Sequence, residues 1–392
     1  SLSGGFSTSL GFIAEASVTE TNFLGRGQYV RLAVSAGQFS RGVEFNFTEP
    51  YFLGNRIAAG FDVYAKKSDA FRFSFYNNFV TGATLRLGLP VTEEITFSPR
   101  YSIYRSDISI PNNSGRPFND CNSPIFGVTP GFGQSAPTFF FNCLTNGEAS
   151  LALKQAQGPF LTSMVGYSLS YNALDNIRNP TRGIFAELRQ DVAGAGGDVR
   201  FVRTTGDIRY YHEIFDRIVG LVHLQGGDLE GFGGSRLRIV DNFNLGPSLV
   251  RGFAPFGIGP RDVGAGNLQG NPLGGTKYFG GSLEVQFPIY GLPRDLGLKA
   301  AIFADAGTLY GFTGQTNFSP NGVCTPTNVS PLFTQGNCIT VGGDSTLIRT
   351  SAGASIIWSS PLGPIRFDFA KVITKSQFDQ TQFFRFTGGT TF

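Results

Sequence analysis

The chain has 392 residues, 41% of them apolar and only 15% charged, with 53 Gly, 40 Phe, 13 Tyr, one Trp and one Met. A formal net charge of +3 and the lack of any Lys/Arg-rich run exclude a nucleic-acid binder that works by neutralising phosphates. A soluble β protein of this length carries more charge on its outside, and no apolar run reaches the roughly 18 residues of a membrane helix.

The sequence opens at Ser1 without a signal peptide, inside a strand-like segment with Phe6, Thr8, Leu10 and Phe12 on one face, which predicts a processed or excised piece. From there, alternating runs bounded by turn residues predict about sixteen strands. In chain order they are 3–13, 15–23, 27–38, 40–48, 56–67, 70–89, 93–109, 159–173, 183–193, 198–214, 216–228, 276–290, 295–310, 347–359, 364–374 and 380–392. In 278–288 one face is Phe279, Gly281, Leu283, Val285 and Phe287, and the other is Tyr278, Gly280, Ser282, Glu284, Gln286 and Pro288. The same split recurs at 57–66, 184–191 and 365–371. Gly194 to Gly197 reads as a hairpin loop.

The connections come in two kinds. Leu24-Gly25-Arg26-Gly27, Leu53-Gly54-Asn55 and Pro361-Leu362-Gly363-Pro364 are tight, whereas 110–158, 229–275 and 311–346 are long and irregular. Short turns at one rim and long loops at the other predict a transmembrane antiparallel β-barrel, formed by residues 1–392 as one domain. Oil outside the wall accounts for the many apolar faces. A wet lumen accounts for Asp62, Lys66, Glu187, Arg189, Asp191, Arg203, Asp207, Arg209, Glu284, Arg366 and Asp368 on the opposite faces. Closure also leaves no unpaired backbone edge in hydrocarbon, where each unsatisfied group costs several kcal/mol. The competing architecture is a soluble antiparallel sandwich, which shows the same period of two.

Four cysteines fall in two of the long stretches, Cys121 with Cys143 and Cys324 with Cys338. An even count inside loops favours two disulfides made in an oxidising compartment. Zinc is the rival, but the spacings do not suit it, and His212 and His223 lie in strands far from either pair. No metal or cofactor is expected. Catalysis finds no motif either: Gly-x-Ser-x-Gly, His-Glu-x-x-His and a phosphate-binding Gly-Lys-Ser/Thr are all missing from the sequence.

A loop as long as 229–275 is usually functional or disordered, and its centre is Leu249-Val250-Arg251-Gly252-Phe253. The Val250, Arg251, Gly252, Phe253 run resembles the motif of the BamA-like outer-membrane assembly factors of the surface-antigen superfamily. Other segments are similar to that family in the same order. They are Phe47 to Phe52 at the end of the fourth strand, Gly280 to Pro288, Phe303-Ala304-Asp305-Ala306-Gly307, Ser351 to Gly353 with Trp358 to Pro364, and the terminal Phe386 to Phe392.

The resemblance implies that the loop folds back into the barrel and that Arg251 reaches Glu284 and Asp305 on the lumen wall. The plainer meaning of such a contact is that Arg251 only pins the loop. The resemblance further implies a lateral seam between the first and last strands, with Phe6, Leu10, Gly11, Phe386, Gly388, Gly389 and Phe392 along it. Glycine there removes packing and favours bends, although glycine is frequent throughout this chain.

The family implies a Gram-negative outer-membrane location and unfolded β-barrel proteins as clients. Membrane lipid and lipopolysaccharide would surround the wall, and periplasmic lipoproteins would dock through POTRA domains not found in this sequence. Nucleic acid is not among the implied partners. The alternative within the superfamily is a TamA-like translocation factor or a two-partner secretion pore; outside it, a passive diffusion porin.

Overall fold

Strict alternation of apolar and polar residues makes each segment two-faced, and antiparallel neighbours let such segments close on themselves. In the computed structural model they close into a barrel of sixteen antiparallel strands. The strands are β1 (Leu2–Ser7), β2 (Gly11–Phe23), β3 (Gln28–Gly37), β4 (Ser40–Glu49), β5 (Ala58–Ser68), β6 (Asn77–Pro90), β7 (Ile95–Ser109) and β8 (Gly158–Asn172). They continue as β9 (Gly183–Gly197), β10 (Phe201–Phe215), β11 (Ile218–Gly231), β12 (Lys277–Pro288), β13 (Leu298–Tyr310), β14 (Arg349–Ser360), β15 (Gly363–Thr374) and β16 (Phe384–Gly389). The structure describes residues 2–8, 11–69, 76–110, 151–177, 179–262, 270–289, 291, 293, 296–314, 341–360 and 363–389. Cys121, Cys143, Cys324, Cys338, Leu10 and Phe392 lie outside them, as does each loop segment that holds a cysteine.

Every strand pairs with its sequence neighbours, and β1 pairs with β16 to close the ring. The apolar set faces outward. Leu283 is 59% exposed and Ile302 53%, whereas Glu284, next to the first, and Asp305, on the same strand as the second, are 4% and 2% exposed. That inversion is the signature of an oil-facing wall around a polar interior, and it excludes the soluble sandwich.

Three boundaries differ from the sequence expectation. β1 ends at Ser7 and β2 starts at Gly11, so Phe12 lies on β2 directly across from Phe6 and does not extend the first strand. Gly11 starts β2 opposite Ser7, with φ at +72°. Gly194 to Gly197 belong to β9, where Gly197 pairs with Thr162 across a local register shift, and the chain turns only after Gly197. Finally, β16 begins at Phe384 and not near 380, because backbone groups of the preceding residues are engaged by another part of the molecule, described below.

The long connection between β11 and β12 returns into the bore. Its strand-like pieces Arg261–Asp262 and Asn271–Pro272 join Val341–Gly342 from a second loop in a three-stranded cap at the long-loop rim. The barrel interior therefore holds a packed loop with its own apolar cluster of Leu245, Leu249, Val250, Phe253 and Ile258 against Leu309 of β13.

Candidate functional site

The tip of the inward loop can approach the wall because the wall offers glycine there. A Cβ at Gly307 of β13 would stand 2.8 Å from Val250, and one at Gly280 of β12 would stand 2.9 Å from Leu249. On the loop side, Gly252 adopts φ of +89° with Ala370, Val372 and Ser351 close by, a conformation and a space that suit a residue without a side chain. These glycines set Val250 and Phe253, both 0% exposed, into apolar contact and leave Arg251 aimed at the strands.

Every nitrogen of Arg251 donates a hydrogen bond. Its backbone N–H and Nε both donate to Asp305 Oδ2, at 2.9 and 2.7 Å, and Nη2 donates to Asp305 Oδ1 at 2.7 Å. Nη1 donates to Glu284 Oε2, and Nη2 also donates to Ser282 Oγ at 2.6 Å. The guanidinium stacks over Phe303, 3.5 Å from the ring centroid. A planar fork meeting a carboxylate in two places is geometry that only Arg supplies.

Glu284 is shared. Arg366 of β15 donates to it through Nη2 at 2.7 Å and Nη1 at 3.3 Å, and Gln286 donates to Oε1 at 2.9 Å. Arg366 Nε in turn donates to Asp368 Oδ1 at 2.7 Å, and Ser355 Oγ donates to the same oxygen at 2.6 Å. Arg385 of β16 lies in register opposite Asp368 and donates from Nη1 to the carbonyl of Pro247 in the loop, at 2.7 Å. Glu284, Asp305 and Asp368 are thus ion-paired by Arg251 and Arg366, and Arg385 joins the cluster to the loop through Pro247.

A second anchor ties the loop to the approach of the last strand. Ala254 N–H donates to the carbonyl of Gln380, Gln380 N–H to that of Gly257, and Gln382 N–H to that of Gly252, at 2.8–2.9 Å. Phe253 forms an isolated bridge with Thr381. This is why β16 starts late: residues 380–382 have their backbone groups committed to the loop. Arg349 of β14, fully buried, holds the same segment by donating from Nε to Asp379 Oδ2 at 3.0 Å and from Nη2 to the carbonyl of Gly343 at 2.9 Å.

The structure brings Val250, Arg251, Gly252 and Phe253 together with Glu284 and Asp305. At the seam it pairs Gly5 with Gly389, Phe6 with Gly388 and Ser7 with Thr387, and sets the Phe6 and Phe386 rings 5.8 Å apart. Gly11 is not on that edge; it faces Ser7 from the β2 side. Sequence reasoning placed Arg366 and Asp368 in the lumen without joining them to Glu284, and it missed Ser282, Phe303, Ser355, Arg349 and Asp379 as parts of the site. A lone signal was available for Arg349: an arginine at the start of an otherwise apolar and small-residue strand. Elsewhere on the inner wall, Arg100 pairs with Asp191 at 2.5 Å, Arg86 with Asp62 at 3.0 Å and His223 with Asp207 at 2.9 Å. Among the described residues no group of three or more His, Cys, Asp or Glu side chains could hold a metal ion.

Closure, an oil-facing outer wall and an inward loop locked by one arginine define a transmembrane β-barrel of the bacterial outer-membrane type. The Omp85 superfamily domain matches residues 22–392, and the chain belongs to that superfamily. It is 26% identical over 387 residues to an outer membrane protein assembly factor BamA of Neorickettsia risticii, covering 98% of this chain and 44% of that protein. A BamA of Neisseria meningitidis is also 26% identical, over 100% of this chain and 46% of its own length. The chain thus spans less than half the length of these relatives. Among solved structures, BamA from Haemophilus ducreyi lacking POTRA domains 1-3 superposes with a TM-score of 0.76 at 22% identity, over 100% of this chain and 69% of that one. CdiB from Acinetobacter baumannii superposes with a TM-score of 0.51 at 10% identity, covering 99% of this chain and 59% of that one; both likenesses are of fold. Bacterial relatives and a closed sixteen-stranded barrel place the protein in the outer membrane.

Proposed function

We propose that this barrel is the membrane-embedded part of a factor that folds and inserts other β-barrel proteins, and that it acts by opening the seam between β1 and β16 to a client strand. The observation that supports the reading is how the described part of that seam is held: Gly5 pairs with Gly389, Phe6 with Gly388 and Ser7 with Thr387, the Phe6 and Phe386 rings meet, and among the described residues no ion pair crosses it. Parting the two edges exposes two sets of backbone donors and acceptors, and strand addition to such an edge is an established mode of recognition. Client folding would supply the free energy; no nucleotide or catalytic group takes part.

In this reading the VRGF loop is a fixed brace. It keeps β12 to β15 rigid and holds 380–382 in place, so that motion is confined to the edge. Clients are unfolded outer-membrane proteins, the surrounding partners are phospholipid and lipopolysaccharide, and accessory lipoproteins would act through POTRA domains. Whole-chain similarity to two assembly factors supports this over a translocation factor or secretion pore. The loop packed in the bore argues against a diffusion porin. A decisive experiment joins Ser7→Cys to Thr387→Cys in a background with the four native cysteines replaced by Ser. Oxidation should cut client insertion at least tenfold and reductant should restore it; an unchanged rate in the cross-linked protein overturns the seam mechanism.

A further inference from the structure

Two neighbouring turns at the short-turn rim share a local sequence and a costly shape. Phe23-Leu24-Gly25 joins β2 to β3 and Phe52-Leu53-Gly54 lies between β4 and β5. In each, leucine sits in the left-handed region at φ of +55°, followed by a glycine at +71° or +75°. The first is closed by Gly25 N–H donating to the carbonyl of Asn22 at 3.0 Å and the second by Gly54 N–H donating to that of Tyr51, also at 3.0 Å. Asn or Gly takes such a position with little strain, whereas a bulky side chain resists it.

The strain is not compensated by burial within the protein: Leu24 is 74% exposed and Leu53 82%, beside exposed Phe23, Tyr51 and Phe52. Local folding does not require leucine here, and no core receives it. Residues 23–27 and 51–57 contain no acid, and each turn carries one exposed arginine, Arg26 or Arg56. Two other short turns carry acids: Val91 is followed by Glu93 and Glu94, and Phe215 by Asp216. Gln28 donates to Glu49 at 2.7 Å and ties the two hairpins together at their base. Directly above, Phe45, Phe47 and Phe61 form an aromatic column on the oil-facing wall, with Phe47 and Phe61 5.4 Å apart.

We propose that the twin turns form one lipid-anchoring surface, the Phe and Leu side chains seated at the glycerol and upper acyl level of the leaflet on that rim and Arg26 and Arg56 on phospholipid phosphates. Continuity with the oil-facing wall selects lipid over a protein partner, and the arginines match the headgroup charge. Both turns belong to the hairpins nearest β1, so the surface would fix the membrane level beside the seam whether or not the seam opens.

The test places a single tryptophan, Leu24→Trp or Leu53→Trp, in a Trp358→Phe background and reconstitutes the chain in phosphatidylethanolamine/phosphatidylglycerol vesicles. These contain a phosphatidylcholine brominated near the glycerol end of its acyl chains. Quenching by bromolipid at least threefold above that of a Glu93→Trp control, with the reverse order for iodide, supports the proposal. Tryptophans as open to iodide as the control overturn it, and so do tryptophans shielded from both quenchers, which would mean a protein surface. As a check independent of the tryptophans, the double variant L24N/L53N should keep or raise its thermal midpoint in detergent, because Asn suits the left-handed backbone. Its insertion into the same vesicles should slow several-fold. Unchanged insertion, or an equal loss in detergent, also overturns the proposal.

Discussion

The two sides of the last strand are held by opposite means. On one side β16 meets β15, whose Arg366 and Asp368 belong to a buried network that runs through Glu284 to Arg251 and Asp305. On the other side β16 meets β1 through backbone pairing at Gly5, Phe6 and Ser7 and a ring contact between Phe6 and Phe386. No ion pair crosses that seam among the described residues. Closing a barrel does not require uniform strength around it; the loop places its polar contacts on the wall from β12 to β15 and leaves the described part of the neighbouring edge to backbone pairing and a ring contact.

The strongest way to break this contrast is to remove the brace. Arg251→Ala strands Asp305 and removes one of the two guanidiniums on Glu284, and stranding a buried charge costs about 3–5 kcal/mol. The loop should come away from the wall, read as new protease cleavage within 232–276 and a lowered thermal midpoint. Arg251→Lys should recover only part of the loss, because an ammonium cannot span Asp305, Glu284 and Ser282 as the fork does. If the alanine variant keeps a wild-type midpoint and protease pattern, the cluster does not hold the loop.

Steric fit is the next lever. Gly307→Ala drives a methyl to 2.8 Å from Val250, and overpacking of this kind costs about 1–3 kcal/mol. Gly252→Ala adds left-handed strain of about 1–3 kcal/mol at φ of +89°. Gly206→Ala is the matched control, since its Cβ would meet nothing within 4 Å; its midpoint should shift by no more than about 0.5 kcal/mol equivalent. Equal shifts for all three variants would show that close approach of the loop is not what these glycines permit.

On the seam side, Phe386→Ala should be felt locally. Losing aromatic contacts with Phe6 and with Phe367, 5.8 and 5.1 Å away, removes about 0.5–1.5 kcal/mol beyond area effects. Amide exchange at Gly5, Phe6 and Ser7 should quicken by up to about tenfold, while exchange in β12 and β13 stays as it was. A matching acceleration in those two strands would mean that the edge and the braced wall open as one unit, and the contrast would be lost.

Sequence carried the barrel because oil outside and water inside force an alternation that any reader can see, as in Phe279 to Phe287. It carried Glu284 and Asp305 because short segments around them resemble a family with a known loop contact. It did not carry Arg366 to Glu284, a pair 82 residues apart, since which inner-face residues meet depends on the register and tilt of four strands. The ends of β1 and β16 were illegible for a different reason. Residues 380–382 have strand-like character, and only the folded loop decides that their N–H and C=O groups serve Gly252, Ala254 and Gly257 in place of a barrel neighbour. The left-handed leucines were likewise hidden, because Leu-Gly in a turn normally reads as a glycine doing the bending.

The smallest expected effect lies at the short-turn rim far from the seam, in the turn between β8 and β9. The Asp175 carboxylate accepts from Thr181 Oγ1 at 2.6 Å and from the backbone N–H of Arg182, Thr181 and Asn176. These hydrogen bonds, the Thr181 hydroxyl first, hold its pKa at about 2, below the ordinary 3.8. A lowered folded-state value means that the ionised form favours the folded turn. The contribution is fully present above about pH 4 and fades as pH falls through 2. Amide exchange at Thr181 and Arg182 should therefore show added protection at pH 5 that declines between pH 4 and 2, after correction for the intrinsic pH dependence of exchange. Asp175→Asn should be pH-independent across that window and Thr181→Val should shift the midpoint upward. Because the group is exposed, the barrel's thermal midpoint should scarcely move; an Asp175→Asn variant that loosened β1 and β16 would show instead that rim turns on the far wall reach the seam.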